Sequence, residues 1–196
     1  METSEKVKGT NENARTQFCD NTICWLAKHL KTDDQTIKKI LIGSNARLFL
    51  LVWPVFEQEI FNGNITLYSG SGKPKSEKKA LITAVEEFKD YYSELNIDDV
   101  ARYLHSRYQD QGKYNRLKHD SDYSRVGDIL KTPYNKIKND QKLEMLFYVV
   151  YRYRNNIFHG NKELIHWDDF EEQIRFCLEF MMKIISINDK YKIVAR

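Results

Sequence analysis

One stretch of the sequence combines residue types that suit phosphate chemistry and proton transfer. Residues Gln141–Gly160 read QKLEMLFYVVYRYRNNIFHG and contain Arg154, Asn155 and His159. Arginine can hold two phosphate oxygens at once, and imidazole can give or take a proton near neutral pH. Cleavage of RNA by its own 2′-hydroxyl group uses both abilities and needs no metal ion. The stretch is therefore a candidate site for metal-independent RNA cleavage.

Hydrophobic periodicity predicts that this stretch forms a helix. One stripe at 3.6 residues per turn is apolar, and Gly160 follows it where a left-handed cap ends a helix. The stripe consists of Leu143, Leu146, Phe147, Val150 and Ile157. Arg154 lies near the middle of this stripe, where an unpaired guanidinium group would be costly. A second, polar face holds Tyr148, Arg152, Asn155 and His159.

The predicted helix does not by itself bring the arginine and the histidine together. Arg154 and His159 are five residues apart, which corresponds to about 140° around an ideal helix. Either the last turn unwinds at His159, or a second copy of the helix completes the site. A two-fold dimer would provide that copy and would also cover the arginine.

The segment Arg154-Asn155-Asn156-Ile157-Phe158-His159 resembles the R-x4-H signature of the HEPN superfamily (higher eukaryote and prokaryote nucleotide-binding domains), which has a polar residue after the arginine. Members of that superfamily are all-α and usually dimerise around the motif. Many are metal-independent ribonucleases of toxin–antitoxin, abortive-infection and CRISPR systems. The resemblance implies that Arg154 and His159 are catalytic and that Asn155 supports them. Some toxins of this group carry a modifiable tyrosine two positions after the histidine, where this chain has Asn161.

The same residues also fit a purely structural explanation. Arg154 could pair with an acid of another helix, His159 could interact with the dipole at the helix end, and Asn155 could lie on a solvated face. Another alternative is a non-catalytic, HEPN-like dimer that holds a nucleotide, RNA or a partner protein. The chain could also be one subunit of a toxin–antitoxin pair, with an antitoxin or a defence-system protein as its partner.

The region 101–142 is rich in cations interleaved with tyrosines, a composition that suits binding of single-stranded RNA. Lysine and arginine neutralise phosphates, and exposed tyrosines stack on unpaired bases. We predict RNA contacts from this region and from the polar face of the following helix, namely from Arg107, Lys113, Arg116, Lys118, Tyr148 and Arg152. The alternative is a solvated loop whose tyrosines pack back on the core.

Length and composition narrow the choice of protein class. The 196 residues suit a single domain. The net charge of +3 is modest, so affinity for nucleic acid must come from a local patch. The three cysteines lack the spacing of metal ligands, and no motif requires a metal ion or another cofactor. No segment resembles a signal peptide or a membrane span, and we expect a cytoplasmic protein without membrane contact.

The remaining pattern predicts an all-α bundle, and the resemblance implies that this bundle is HEPN-like and forms a two-fold dimer. We expect a flexible N-terminal segment at 1–17, a single helical domain at 18–188 and a short tail at 189–196. A long antiparallel hairpin of the last two helices places the Arg154 site at its bend. Helices are predicted at 18–30, 34–42, 46–61, 77–95, 97–108, 141–160 and 168–187. Pro54 is expected to kink or divide the third helix, and Asp168 with Glu171 is expected to cap the last.

Overall fold

The computed structural model describes Gln17 and residues 21–28, 31–43, 45–62, 77–118, 124–158 and 169–194. Every secondary-structure element within these ranges is helical, so the all-α prediction is confirmed for them. Short 3-10 turns lie at Lys89–Tyr91 and Tyr134–Lys136. The α-helices are α1 (residues 21–28), α2 (Asp34–Gly43), α3 (Asn45–Phe61), α4 (Glu77–Phe88), α5 (Tyr92–Leu95), α6 (Asp98–Gln109), α7 (Gln111–Leu117), α8 (Ser124–Lys131), α9 (Asn139–Phe158) and α10 (Glu171–Tyr191).

Side-chain caps and left-handed residues explain where several helices begin and end. Asp33 caps α2, because its Oδ1 atom accepts a hydrogen bond from the Thr36 amide at 2.9 Å. Asn96 ends α5 in the left-handed region, with a φ of 49°. Asp110 lies between α6 and α7 and accepts a hydrogen bond from the Lys113 amide at 3.0 Å. This cap allows the chain to turn sharply from α6 into α7.

The start of α3 is capped by a residue that is distant in sequence. The predicted cap of α10 included Asp168, which lies outside the described residues. Its other member, Glu171, accepts hydrogen bonds from the backbone amide of Asn45 at 2.8 and 3.0 Å. A carboxylate of α10 therefore caps α3.

Pro54 does not divide α3, which runs without a break from Asn45 to Phe61. Proline removes one amide donor from a helix. Pro54 lies on the exposed side of α3, where water can satisfy the carbonyl group that loses its partner. The opposite side of α3 supplies the buried residues Ala46, Phe49, Trp53, Phe56 and Ile60.

Helix α9 lies at the centre of the fold. Every residue from Leu143 to Tyr153 is at most 5% exposed, and α4, α6, α7, α8 and α10 all contact this helix. The Phe147 ring lies at the middle of an aromatic cluster, with centroid distances of 5.0–6.4 Å to the rings of Phe56, Phe61, Phe88 and Phe180. The last two helices touch, as expected for a hairpin, although α10 packs most extensively along α3.

The last helix is longer than predicted. It continues past Ile187 to Tyr191, and Lys192 then adopts a left-handed conformation with a φ of 52°. The amide of Val194 donates a hydrogen bond to Oδ1 of Asn188 at 2.8 Å. Val194 thereby joins the hydrophobic core within the segment that we expected to be a tail.

The described residues include neither a candidate membrane-spanning helix nor a candidate metal-binding cluster. No helix among them is both long enough and apolar enough to cross a membrane. They also contain no group of three or more histidine, cysteine or acidic side chains placed to hold a metal ion.

Candidate functional site

The predicted catalytic arginine lies near the C-terminal end of α9. Its Nη1 atom donates a hydrogen bond to Oδ1 of Asn155 at 3.0 Å, so the two side chains that follow one another in sequence are joined. The guanidinium carbon of Arg154 lies 5.8 Å from the centre of the Trp53 ring, within the range of a cation–π contact. Arg154 is half-buried and Asn155 is 7% exposed. The guanidinium group is thus held by an amide on one side and an indole on another.

His159 lies outside the described residues, as do Gly160 and Asn161. The last described residue of α9 is Phe158. The catalytic assignment of His159 therefore stays a prediction, and so does the choice between an unwound last turn and a second copy of the helix.

Two residues that we predicted as RNA contacts lie in the protein interior. Tyr148 is 2% exposed and Arg152 is 4% exposed. The Nε atom of Arg152 donates a hydrogen bond to the backbone carbonyl of Leu117 at 3.0 Å, which ties α9 to the end of α7. Helical periodicity placed these residues on a polar face, but the packing of the helices around α9 buries them. We therefore exclude Tyr148 and Arg152 from the candidate RNA interface.

Three other predicted RNA contacts line one cleft. Arg107 comes from α6, and Lys113 and Arg116 come from α7. The cleft has a volume of about 190 Å³. Its remaining walls are formed by Tyr108, Leu117, Tyr153, Asp169 and Phe170. The sharp turn at Asp110 brings the cations of the two helices together, and α9 contributes one wall through Tyr153.

The cleft is electropositive. Among the described residues, its lining contains three cations and a single carboxylate, that of Asp169. Within the described parts of the chain, none of the three cations forms an ion pair with a carboxylate. A hydrogen bond from the Lys113 amide, together with the nearby charges of Lys113 and Arg116, lowers the pKa of Asp110 below 3.8.

One cation of the cleft is held by a neutral partner. Nη1 of Arg107 lies 2.9 Å from the end of the Gln173 side chain. Because a guanidinium group can only donate, the oxygen of this amide must face Arg107, and its nitrogen then donates to the Phe170 carbonyl at 3.1 Å. An amide orients the arginine without neutralising its charge.

Two phenols form a buried pair beside the cations. The hydroxyl groups of Tyr108 and Tyr153 lie 2.7 Å apart. Burial raises the pKa of both phenols well above 10. Both therefore keep their protons at neutral pH. One hydroxyl group donates its proton to the bond between them, and the accepting hydroxyl group keeps its own proton.

The fourth basic residue predicted to bind RNA lies at the margin of this site. Lys118 is exposed and ends α7, with its Nζ atom 5.9 Å from the centre of the Tyr114 ring. It does not line the cleft. Region 101–142 is thus largely helical, and it presents its cations from defined positions on α6 and α7.

Several residues of the site were missed by sequence reasoning. Tyr108 and Tyr153 look like ordinary core tyrosines in sequence, and Phe170 and Asp169 are far from region 101–142. Asn156 is 3% exposed, and its Nδ2 atom has no hydrogen-bond partner. It lies one turn beyond Arg152 and Tyr153, on the side of α9 that faces α7 and the cleft. The available sequence signal was its position beside Asn155, within the R-x4-H segment.

The described fold and site define an all-helical protein with a polar arginine–asparagine pair at the end of its central helix and a cation-lined cleft beside that helix. Comparison with family models, with curated proteins and with solved structures found no match for this chain. Function is therefore argued from the residues and their geometry.

Proposed function

We propose that this chain is a metal-independent endoribonuclease that resembles the HEPN superfamily and acts in bacterial defence or toxin–antitoxin growth control. The observation that carries the proposal is the 3.0 Å hydrogen bond from Arg154 to Asn155 at the end of the central helix. A guanidinium group held in advance can stabilise charge as it develops on a phosphate, without reorganising during the reaction. His159 follows in the same segment at the spacing of the R-x4-H signature.

In the proposed reaction, the 2′-hydroxyl group of the RNA attacks the adjacent phosphorus atom and the bond to the 5′-oxygen breaks. His159 takes the proton from the 2′-hydroxyl group or gives a proton to the leaving oxygen. Arg154 stabilises the negative charge on the phosphate oxygens, and Asn155 fixes the orientation of the arginine. The products are a 2′,3′-cyclic phosphate and a 5′-hydroxyl group. A two-fold dimer brings a second copy of this segment to the site.

A non-catalytic module that binds RNA or nucleotides is the second candidate. It is favoured by the cleft of Arg107, Lys113 and Arg116, because these cations would hold phosphate without any nucleophile or base. The two candidates make the same prediction for binding and opposite predictions for cleavage.

Cleavage of labelled single-stranded RNA in excess EDTA, with analysis of the new 3′ ends, separates the two candidates. We expect the wild type to leave cyclic phosphate ends and expect Arg154→Ala and His159→Ala to be slower by a factor of about 100 or more. His29→Ala is the control, because it removes a histidine outside both the signature and region 101–142. Cleavage by His159→Ala at the wild-type rate would refute the assigned role of His159. Binding without cleavage by the wild type would favour the second candidate.

Growth of a bacterial host tests the cellular role. Expression of the wild type should arrest growth, and the Arg154→Ala and His159→Ala variants should relieve the arrest. Equal toxicity of all three proteins would contradict a toxin based on RNA cleavage. Recovery of growth on co-expression of a partner protein would identify an antitoxin.

A further inference from the structure

We propose that the cleft lined by Arg107, Lys113 and Arg116 binds a phosphate group of single-stranded RNA while the bases of the strand stay outside. This role deepens the proposed function, on which it rests for the identity of the strand. Among the described residues, neither Arg154 nor Asn155 lines the cleft. We assign the cleft to holding the strand, and we assign cleavage to the R-x4-H segment.

The charge of the cleft matches an anion. Among the described residues, three cations and one carboxylate line it, and the Asp110 carboxylate lies near two of these cations, so positive charge is still in excess. Arg107 faces the neutral amide of Gln173 at 2.9 Å, so its charge remains available to a ligand. A phosphodiester carries one negative charge and a terminal phosphate up to two, and guanidinium groups bind both through paired hydrogen bonds.

The hydrogen-bonding groups of the cleft are mostly donors. Besides the three cations, Tyr108 and Tyr153 line the cleft, and their hydroxyl groups lie 2.7 Å apart. Burial raises the pKa of both phenols, which therefore add no negative charge to the cleft near neutral pH. Asp169 is the one charged acceptor among the lining residues. A site with this balance suits phosphate oxygens, which only accept.

The size of the cleft limits what can enter it. Its volume is about 190 Å³, which is below the roughly 300–1,000 Å³ of sites that enclose whole small molecules. A phosphate group with part of its sugar fits this limit better than a complete nucleotide does. The cleft should therefore contact the backbone of a strand and leave the sequence of its bases unread.

Hydrogen bonds at both ends of α7 fix the backbone that carries Lys113 and Arg116. Asp110 caps α7 through the Lys113 amide at 3.0 Å, and Arg152 of α9 holds the other end of α7 through the Leu117 carbonyl at 3.0 Å. Lys113 and Arg116 lie between these two ties. A prepositioned cation loses less conformational freedom on binding than one on a loose segment.

Fluorescence anisotropy with a 2′-O-methyl RNA oligonucleotide tests this role in the full-length protein. That probe lacks the attacking hydroxyl group, so binding is measured without cleavage. Lys113→Gln and Arg116→Gln should each weaken binding by about tenfold, the effect of losing one charge-assisted phosphate contact. One phosphate neutralised in the cleft contributes about 0.7 in magnitude to the slope of the log–log salt dependence, and each variant should reduce the slope by at most that amount.

Two exposed cations elsewhere on the surface provide matched controls. Lys192→Gln just after α10 and Arg175→Gln on α10 change the net charge by the same amount, and their side chains are 72% and 53% exposed. Both should bind RNA within about twofold of the wild type, because they lie outside the cleft. Thermal unfolding of each variant verifies that Lys113→Gln and Arg116→Gln keep the fold. Cleft variants that bind as tightly as these controls would overturn the proposal.

Two further binding measurements identify which phosphate of the strand enters the cleft. Oligonucleotides with a 5′-phosphate and with a 5′-hydroxyl group are compared, and inorganic phosphate is added as a competitor. A preference for the 5′-phosphate that disappears in Arg116→Gln assigns the cleft to the strand end. Equal affinity, with both probes weakened by Arg116→Gln, assigns it to an internal phosphodiester.

Failure of the cleft and failure of the nuclease give different results. If the wild type binds RNA through Lys113 and Arg116 but does not cleave it in EDTA, the role of the cleft is supported and the nuclease activity is refuted. If the wild type cleaves RNA and the Lys113→Gln/Arg116→Gln double variant binds RNA as tightly as the wild type, the nuclease is supported and the role of the cleft is refuted.

Discussion

Asp98 begins α6, the helix that carries Arg107, and connects it to Tyr92, Tyr134 and Lys142. It lies in the first turn of α6, and its Oδ1 atom accepts hydrogen bonds from Lys142 at 2.8 Å and from the Tyr134 hydroxyl at 2.7 Å. The Tyr92 hydroxyl lies 3.2 Å from the same oxygen, and Arg102 donates to Oδ2 at 3.0 Å. The Asp98→Asn variant removes the charge and places an amide nitrogen among donors. We expect it to loosen the attachment of α6 to α9.

The cost of this substitution follows from the pKa of the carboxyl group. Partial burial by itself would raise the pKa of Asp98, but the hydrogen bonds from Lys142 and Tyr134 outweigh that effect and lower it from 3.8 to about 2. At about 1.4 kcal/mol for each pKa unit, the upper limit is about 2.5 kcal/mol. The side chain is 42% exposed, so solvent screening reduces the expected loss in unfolding free energy to about 1 kcal/mol.

Denaturant unfolding at several pH values measures this effect. At pH 7 the Asp98→Asn variant should be less stable by about 1 kcal/mol, which lowers the melting temperature by about 2–4 °C in a chain of this size. Because the folded pKa of Asp98 is depressed, its contribution is complete above about pH 4 and disappears as the pH falls toward 2. Asp128→Asn is the control, since Asp128 is 75% exposed and lies 3.8 Å from Lys131. Equal unfolding free energies for Asp98→Asn and the wild type at pH 7 would refute the reasoning.

Three other substitutions test the core, a helix and a buried histidine. Phe147→Ala should lower the unfolding free energy by about 3–5 kcal/mol in denaturant titrations, because it empties the centre of the aromatic cluster; a loss below 1 kcal/mol would show that the cluster does not stabilise the fold. Gly127→Ala should raise the unfolding free energy by about 0.5–1 kcal/mol, since Gly127 lies inside α8 and an added Cβ would meet the Tyr114 ring at an ordinary 3.6 Å; destabilisation would contradict this. Burial lowers the pKa of His105, whose Nε2 atom lies 3.0 Å from the Thr132 carbonyl oxygen. The unfolding free energy of the wild type should therefore decline as the pH falls below about 6.5, and that of His105→Gln should decline less steeply. The same slope in both proteins would exclude His105 as the cause.

Helix existence and approximate helix ends could be predicted from the sequence because their signals are local. The cap at Asp33, the left-handed end at Asn96 and the apolar stripe of α9 each depend on residues within a turn or two of one another. The helices α7 and α8 were missed, since each is short and lies in a region dominated by charge. Arg154 and Asn155 could be nominated for the same local reason, because they are neighbours in the chain.

Only the tertiary structure decided which polar residues of α9 face the interior and which lie near a cleft. Periodicity places Tyr148 and Arg152 on a polar face, but the helices packed around α9 bury both residues, and Arg152 is bonded to the end of α7. The cleft combines Arg107 and Arg116 with Tyr153 and Phe170, which come from distant parts of the chain. No local pattern encodes such a meeting, because it depends on how all the helices pack around α9. The sequence by itself therefore determined the helices and the candidate chemistry, and packing decided where the charges meet.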